Sequence, residues 1–460
     1  MNRFGFAFLT VTLWIPFAEL TLSAADRPNF VVILADDLGW GDVGYHGSAI
    51  ATPNIDRLAQ RGTQLDQFYV QPVCSPTRAS LLTGRYPIRC GMQCGVVRPW
   101  AQHGLPLDEQ TLPDALRGAG YVTAMCGKWH LGHLSQEYLP THRGFSHQYG
   151  HYNGALDYFT HIRDGGHDWH RNDKALYEEG YTTDLIGHEA AQVLASHDKR
   201  KPLFLYVPFN APHTPLQAPD ETIAKYAGMK NKQRRTYAAM VDQMDQAVGL
   251  IVSALERHHY SAEPTLIFFC SDNGGIRKLG SNRELRAGKG TLYEGGVRVP
   301  AIAVWDEVLS ANSHVNEALH IVDVYPTLLG LAGAKPKQLK RLDGHDAWAT
   351  IADKQPSPHD FILHNATPFH GAIRVGDWKL IHNGHVSANA TAASPDETWE
   401  LFNIRKDISE ATDLKDQEPA TLKRLQKQLA KLSREAVPAN IPPNKAPANF
   451  LVPKVWGEFE

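Results

Sequence analysis

Cys74 stands two residues before Pro76 and four before Arg78 in CSPTRASLLTGR, and the run that follows it has helical spacing. A cysteine is a nucleophile only as its thiolate, which forms near neutral pH beside a histidine base or at a helix N-terminus. No local Cys/His protease signature accompanies Cys74, and the structural alternative is a buried thiol beside a turn proline. Two pairs of oxygen donors are the next chemical feature: Asp36 and Asp37 follow FVVILA, and Asp272 and Asn273 follow TLIFFCS. Four hard oxygen donors at two strand ends suit calcium or magnesium. Helix N-capping and a turn explain each pair taken alone equally well. The third feature is cationic: Arg78, then Lys128 and His130 in GKWHLG, His213 in NAPHTPLQAP and Lys289 in RAGKGTLYEGG. Singly, such lysines are solvated surface and such histidines are structural; gathered at one place they would hold an anion.

CxPxR continued by ASLLTGR resembles the signature of the type I sulfatases, whose cysteine is oxidised by a dedicated enzyme to Cα-formylglycine. ADDLGWGDVGYHGS, PLDEQTLPDALRGAGY, GKWHLGH, LPTHRGFSHQYG and LDGHDAW are similar to segments of the arylsulfatase B (N-acetylgalactosamine 4-sulfatase) branch, in its order. The resemblance runs from about Pro28 to Asp360, and CGMQCGVVRPWAQHG and GIRKLGSNRELRAGKG depart from that branch.

The resemblance implies that Asp36, Asp37, Asp272, Asn273 and the modified Cys74 hold one divalent cation, calcium before magnesium. It implies catalytic roles for Cys74, Arg78, Lys128, His130, His213 and Lys289. In that scheme an aldehyde hydrate at Cys74 offers one hydroxyl to attack sulfur and a second whose collapse releases sulfate. His213 and Lys289 would contact the sulfate and protonate the leaving oxygen, Lys128 would bind its oxygens, and His130 would orient or deprotonate the hydrate. Charge agrees: Asp36, Asp37 and Asp272 balance Arg78, Lys128 and Lys289, so the cation's charge is left to face an anion. A phosphate would satisfy the same balance.

These residues need a scaffold that brings distant segments together. FVVIL, PLFLYVPF and TLIFFC read as strands ending in polar residues, while LDEQTLPDALRGAG from Leu107, TYAAMVDQMDQAVGLIVSALE from Thr236 and DVYPTLLGLAG read as helices. Alternating strands and helices predict an α/β domain with a mostly parallel central sheet flanked by helices, its ligands lying beyond the strand carboxyl ends. The resemblance makes this an alkaline-phosphatase-like large domain. A boundary near Gln355 separates residues 26–355, the catalytic domain, from a small C-terminal domain over 356–460. There DFILHN, GAIRVGDWKLIH and TWELFNI predict an antiparallel sheet, and Leu422, Leu425, Leu429 and Leu432 the apolar stripe of a helix packed on it. The tail after Val437 reads as proline-rich and extended.

Length and composition fit this plan, since 460 residues at 43% hydrophobic exceed one small core. A net charge of −3 gives no basic field for nucleic acid. Arg3, an apolar run from Phe4 to Ala18 and the small residues Ser23 and Ala25 predict a signal peptide over residues 1–25. The run is shorter than the roughly 20 residues of a spanning helix, so no membrane anchor is expected. The protein is expected to be exported, to a periplasm or the extracellular space, or to a lysosome in an animal. Five cysteines are too few for a disulfide scaffold, and the pairing of Cys90, Cys94, Cys126 and Cys270 stays open.

The expected substrate is a sulfated galactose or N-acetylgalactosamine unit of an oligo- or polysaccharide, and the expected protein partner is a formylglycine-generating, sulfatase-maturing enzyme. Residues 142–171 hold six histidines with tyrosines and Trp169, a mixture that would stack on sugars and bind sulfates, with His151 and His161 as its candidates. An irregular segment with structural histidines is the alternative reading. Arg98, Arg283 and Arg286 are candidate contacts to a polyanionic chain, surface ion pairs being the alternative, and His370 is a candidate reaching over from the small domain. Two rival functions share these features: a phosphodiesterase or phosphonate hydrolase of the same superfamily, and a non-catalytic polysaccharide-binding protein if Cys74 stays a thiol.

Overall fold

Apolar runs ending in polar residues become the strands of one large sheet in the computed structural model, which describes residues 27–337, 340–367, 369–386 and 397–459. The expected leader over residues 1–25 lies outside the described residues. In chain order the strands are β1 (Asn29–Ala35), β2 (Thr63–Leu65), β3 (Val122–Lys128), β4 (His147–His151), β5 (His170–Arg171), β6 (Lys174–Ala175), β7 (Leu203–Pro208), β8 (Thr265–Ser271), β9 (Ala301–Val304) and β10 (Ser313–Val315). Their spatial order is β10-β2-β9-β8-β1-β7-β3-β4-β5-β6. The central strands β8, β1, β7, β3 and β4 run parallel, and β9 and β5 pair antiparallel beside them.

β1 shows why the sheet is covered on both faces. Successive side chains alternate, and both sets are apolar. Val31, Ile33 and Ala35 pack with the helices Pro53–Arg61, Thr182–Ser196 and Lys232–Arg257. Phe30, Val32 and Leu34 pack with Cys74–Thr83, Leu112–Gly118 and Val324–Leu331. The helix expected from Leu107 starts later, at Leu112, because the Thr111 hydroxyl caps it by accepting from the Asp114 N–H at 3.3 Å and Pro113 occupies its first turn. No helix among the described residues is long and apolar enough to cross a membrane. All five cysteines are free and buried.

The small sheet is antiparallel in the order β11 (Ile362–His364), β12 (Gly371–Val375), β13 (Trp378–His382) and β14 (Trp399–Asn403). Gly376, at φ 57°, turns the β12–β13 hairpin where a side chain would be strained. Leu425, Leu429 and Leu432 of the helix Pro419–Ser433 pack with Leu363, Ile373, Leu380 and Leu401, as their spacing predicts. Past Val437 the chain returns to loops beside the large sheet. The Asn440 N–H donates to Gly91 O at 2.8 Å, Trp100 Nε1 donates to Pro443 O at 2.7 Å, and Trp456 Nε1 donates to Arg163 O at 2.9 Å.

A fully buried ion network ties the small sheet to the rest of the chain. Lys379 on β13 lies 2.8 Å from Glu294 and 3.0 Å from Glu410, and the Tyr69 hydroxyl donates to Glu294 at 2.7 Å. The chain leading into Glu294 is bonded to the small domain as well: Val386 N–H donates to Gly290 O and Leu292 N–H to Gly384 O, each at 2.9 Å.

Candidate active site

Strand register brings the two oxygen-donor pairs together. β1 and β8 are neighbours with Ala35 opposite Ser271, so Asp36 and Asp37 leave the sheet beside Asp272 and Asn273. The Asp272 N–H donates to Ala35 O at 2.9 Å, and Asn273 Nδ2 donates to Asp37 Oδ1 at 2.7 Å. Asp37 takes a left-handed φ of 69°, a conformation aspartate tolerates better than most residues.

Cys74 is the first residue of the helix Cys74–Thr83, and Arg78 lies one turn further along the same face. The thiol donates to Asp36 Oδ1 at 3.4 Å and accepts from Lys289 Nζ at 3.4 Å. Lys289 also lies 2.6 Å from Asp37 Oδ1. Lys128, the last residue of β3, places Nζ 2.5 Å from Asp36 Oδ2. Arg78 donates from Nε and Nη2 to Asp272 Oδ2 at 3.1 and 2.8 Å, and from Nη1 to Lys128 O at 3.0 Å. His213, on the loop after β7, has Nε2 3.7 Å from Asp37 Oδ2 and Nδ1 2.6 Å from Thr214 O. His130 Nε2 is 3.0 Å from Val97 O, and the His130 carbonyl accepts from the Ser75 hydroxyl at 2.9 Å.

The charges in this pocket set one another. Burial alone would raise the Asp37 pKa, but Lys289 and His213 outweigh it and hold the carboxyl at about 2. Burial and the neighbouring Asp36 push Asp272 up to about 6, with Arg78 pulling against them. Burial, then the charge of Lys289, brings His213 down to about 3. His130 falls well below its usual value through burial, then Lys128 and Arg78. Burial, then Asp272 and Asp36, pushes the Cys74 thiol up. An unmodified Cys74 therefore stays a thiol with no imidazole hydrogen-bonded to its sulfur, its place at the helix N-terminus being outweighed by burial and the two carboxylates.

Atoms of Asp36, Asp37, Cys74 and His213 lie within 4.8 Å of one another. Asp37 Oδ2 and Asn273 Oδ1 are buried with no hydrogen-bond partner, so two oxygen lone-pair sites are left for a cation. Hard oxygens outnumber the single imidazole, which suits calcium or magnesium better than zinc. The expected ligands Asp36, Asp37, Cys74, Asp272 and Asn273 thus converge, with Asp272 Oδ2 already engaged by Arg78.

The six substrate candidates do not converge in the same way. His151 and His161 are buried, at 0% and 1% exposure, and both stack on Trp169. Both rings are thus packed inside, where the sequence led to the expectation of a sugar-binding surface. Arg286 is taken up by Glu400 at 3.1 Å, Glu410 O at 2.9 Å and the Tyr293 ring at 3.9 Å, so it ties its loop to the small domain. His370 is buried at 7% exposure. Arg283 is exposed and bonds Gly47 O, while Arg98 is half-buried and has no side-chain partner among the described residues.

A family model described as Sulfatase matches residues 28–334. The chain belongs to the sulfatase family. It is 37% identical to arylsulfatase J of Mus musculus, covering 96% of this chain and 82% of that protein, and 33% identical to N-acetylgalactosamine-6-sulfatase of Mus musculus, covering 78% and 73%. The crystal structure of Ps i-CgsB in complex with k-i-k-neocarrahexaose superposes with a TM-score of 0.81 at 36% identity, covering 90% of this chain and 94% of that one. This sulfatase is therefore a sulfuric ester hydrolase of the type I family, built on the sulfatase fold.

Several supporting residues escaped the sequence reading. Ser75 ties Cys74's helix to His130 and also accepts from Val97 N–H at 3.0 Å. The Tyr158 hydroxyl, 2.7 Å from both Asn210 O and His213 O, holds the His213 loop. Lys379 carried a signal: a lysine inside an otherwise apolar strand, WKLIH, needs a buried counter-charge.

Proposed function

We propose that this sulfatase removes sulfate monoesters from sulfated galactose or N-acetylgalactosamine units of a polysaccharide, using Cα-formylglycine made from Cys74 and one divalent cation, calcium. A complex with a neocarrahexaose among the similar structures and an N-acetylgalactosamine-6-sulfatase among the relatives support a carbohydrate substrate. The observation that carries the chemistry is Cys74 itself, fixed between Asp36 and Lys289 with no base on its sulfur.

Asp36, Asp37, Asp272 and Asn273 would hold the cation, which supplies positive charge for the reacting oxygens. Hydrated formylglycine supplies two hydroxyls on one carbon, one to attack sulfur and one from which sulfate is expelled. The chain's own residues do the rest. Arg78, fixed by Asp272, and Lys128, fixed by Asp36, keep positive charge beside position 74. Lys289 stays protonated beside the sulfur-bearing carbon of Cys74 and binds the sulfo group. A bound sulfo anion favours the charged imidazole of His213, which then donates its proton to the leaving oxygen. His130 orients the nucleophile, its ring set by Val97 O.

Residues 1–25 serve as the leader of an exported protein, residues 26–355 as the catalytic domain and 356–460 as a small domain that completes it. A formylglycine-generating enzyme is the maturation partner. Mass spectrometry of the peptide containing Cys74 from the native source is expected to show an aldehyde in place of the thiol; a thiol in fully active protein would sink the mechanism. Desulfation of defined sulfated oligosaccharides, with an aryl phosphodiester as control, is expected to favour the galactose-type sulfates. Dialysis against a calcium chelator should abolish turnover and calcium should restore it.

A further inference from the structure

A cleft of about 650 Å³ opens between the two domains, and none of the residues assigned to the Cys74 site lines it. Its inner end carries Arg298 from the large domain and Arg374 from β12, exposed by only 7% and 5%. Each guanidinium is locked by other atoms. Arg298 donates from Nε to Asp66 O at 2.7 Å, stands 3.6 Å from Glu294 and lies over the Trp40 ring at 4.9 Å. Arg374 donates from Nε to Gly376 O at 3.0 Å and from Nη1 to the Tyr69 hydroxyl. Neither Nη2 has a hydrogen-bond partner among the described residues. Two arginines that need no reorganisation thus leave donors unused in a space of ligand size.

Charged groups also gather behind the cleft. Arg298, Arg374 and Lys379 are three buried cations around two buried carboxylates, Glu294 and Glu410. Burial and the nearby Glu294 push Glu410 up, against the pull of Lys379. Asp377 at the cleft wall also acts on Arg374, so the unused guanidinium donors, and not a net charge, call for an anion. At the lip the balance differs: Arg405 stands 3.8 Å from Asp377, and Glu317 accepts from the Ser357 N–H at 2.9 Å. The acids there disfavour a string of negative charges lying along the lip. They leave room for one anionic group reaching inward from a polar chain, whose hydroxyls Asp377 and Asn316 can bond.

We propose that this interdomain cleft is a second saccharide site, which binds one sulfo group of a sulfated oligosaccharide between Arg298 and Arg374 and holds the chain without cleaving it. The identity of the ligand rests on the polysaccharide reading above; the existence of the site does not depend on turnover. The test uses full-length protein with Cys74→Ala, so that nothing is hydrolysed, titrated calorimetrically with a sulfated galactan hexasaccharide, its desulfated counterpart and inorganic sulfate. Two binding events per chain are expected for the hexasaccharide and none in the cleft for the desulfated chain. Arg374→Lys keeps the charge but loses the fork, and should weaken the second event by about ten-fold, the size of one charge-assisted hydrogen bond. Asn316→Asp with Arg405→Glu, both exposed, should weaken it similarly without endangering the fold. A single event in the parent, or two events untouched by both variants, overturns the proposal. Inorganic sulfate binding in the cleft as tightly as the hexasaccharide overturns the saccharide assignment. Mature enzyme that desulfates no saccharide while both binding events persist counts against the proposed function and leaves the cleft site standing.

Discussion

The floor around Cys74 and the histidine-rich segment from residue 142 to 171 are both crowded with titratable side chains, yet they are built on opposite principles. On the floor, Lys128, Arg78 and Lys289 each hold a carboxylate within 2.8 Å, and those carboxylates sit at the ends of adjacent strands. In the segment, His161 and His151 stack on Trp169, and His170 stacks on Tyr152 at 4.2 Å. Neither ring nitrogen of His151 or of His170 makes a hydrogen bond, and although Asp168 stands 3.7 Å from His170 Nδ1, burial outweighs its charge and brings the two pKa values down to about 3 and about 4. The first region keeps charge by pairing it; the second keeps rings by making them neutral. Density of histidine is therefore no guide to chemistry where burial outweighs the carboxylate beside the rings, as it does at His170.

The comparison is broken most directly at position 74. Cys74→Ala should cut kcat/KM on an aryl sulfate by on the order of 10³ or more, as loss of a nucleophile does, with little change in Tm. Lys379→Met tests whether paired charge also holds the framework: Glu294 and Glu410 lose their shared cation, and urea unfolding should show a loss of about 3–5 kcal/mol. Lys289→Ala removes a charge facing the reacting group and should lower kcat by about 10²–10³ while the unfolding midpoint stays close to the parent's. His161→Ala should do the reverse, costing about 1–3 kcal/mol of stability and leaving kcat/KM per folded molecule unchanged. A catalytic loss larger than the stability loss at His161 would collapse the distinction between the two regions.

Strand ends were legible before any coordinates, because FVVILADD and TLIFFCSDN each announce an apolar strand that stops at oxygen donors. The same holds for the leucine stripe at Leu425, Leu429 and Leu432, whose spacing demands a packed helix face. Burial of individual polar residues was not legible. His151 lies in β4 beside Lys128 in β3, and only the pairing of those strands decides that its ring faces the interior. Arg286 and Lys289 are three residues apart, yet one is claimed by Glu400 and Glu410 from the small domain and the other by Asp37. Which charge a distant acid will claim depends on tertiary approach, and local spacing carries no record of it. Ser75 and Tyr158 were missed for the same reason, since each acts through backbone carbonyls that any residue could supply.

The returning tail has a bearing on the timing of assembly. Trp456 N–H donates to His167 O at 2.9 Å, and the His167 N–H donates to Lys454 O at 2.8 Å, so a segment from the middle of the large domain acquires its edge partner only after residue 456 exists. Asn440 and Pro443 likewise close on Gly91 and Trp100, which were synthesised hundreds of residues earlier. Contacts of such long sequence separation form slowly and late. On a ribosome, the large domain of this protein would emerge with those loops still open, and the stretch from Asn440 to Trp456 would act as the fastener that shuts them.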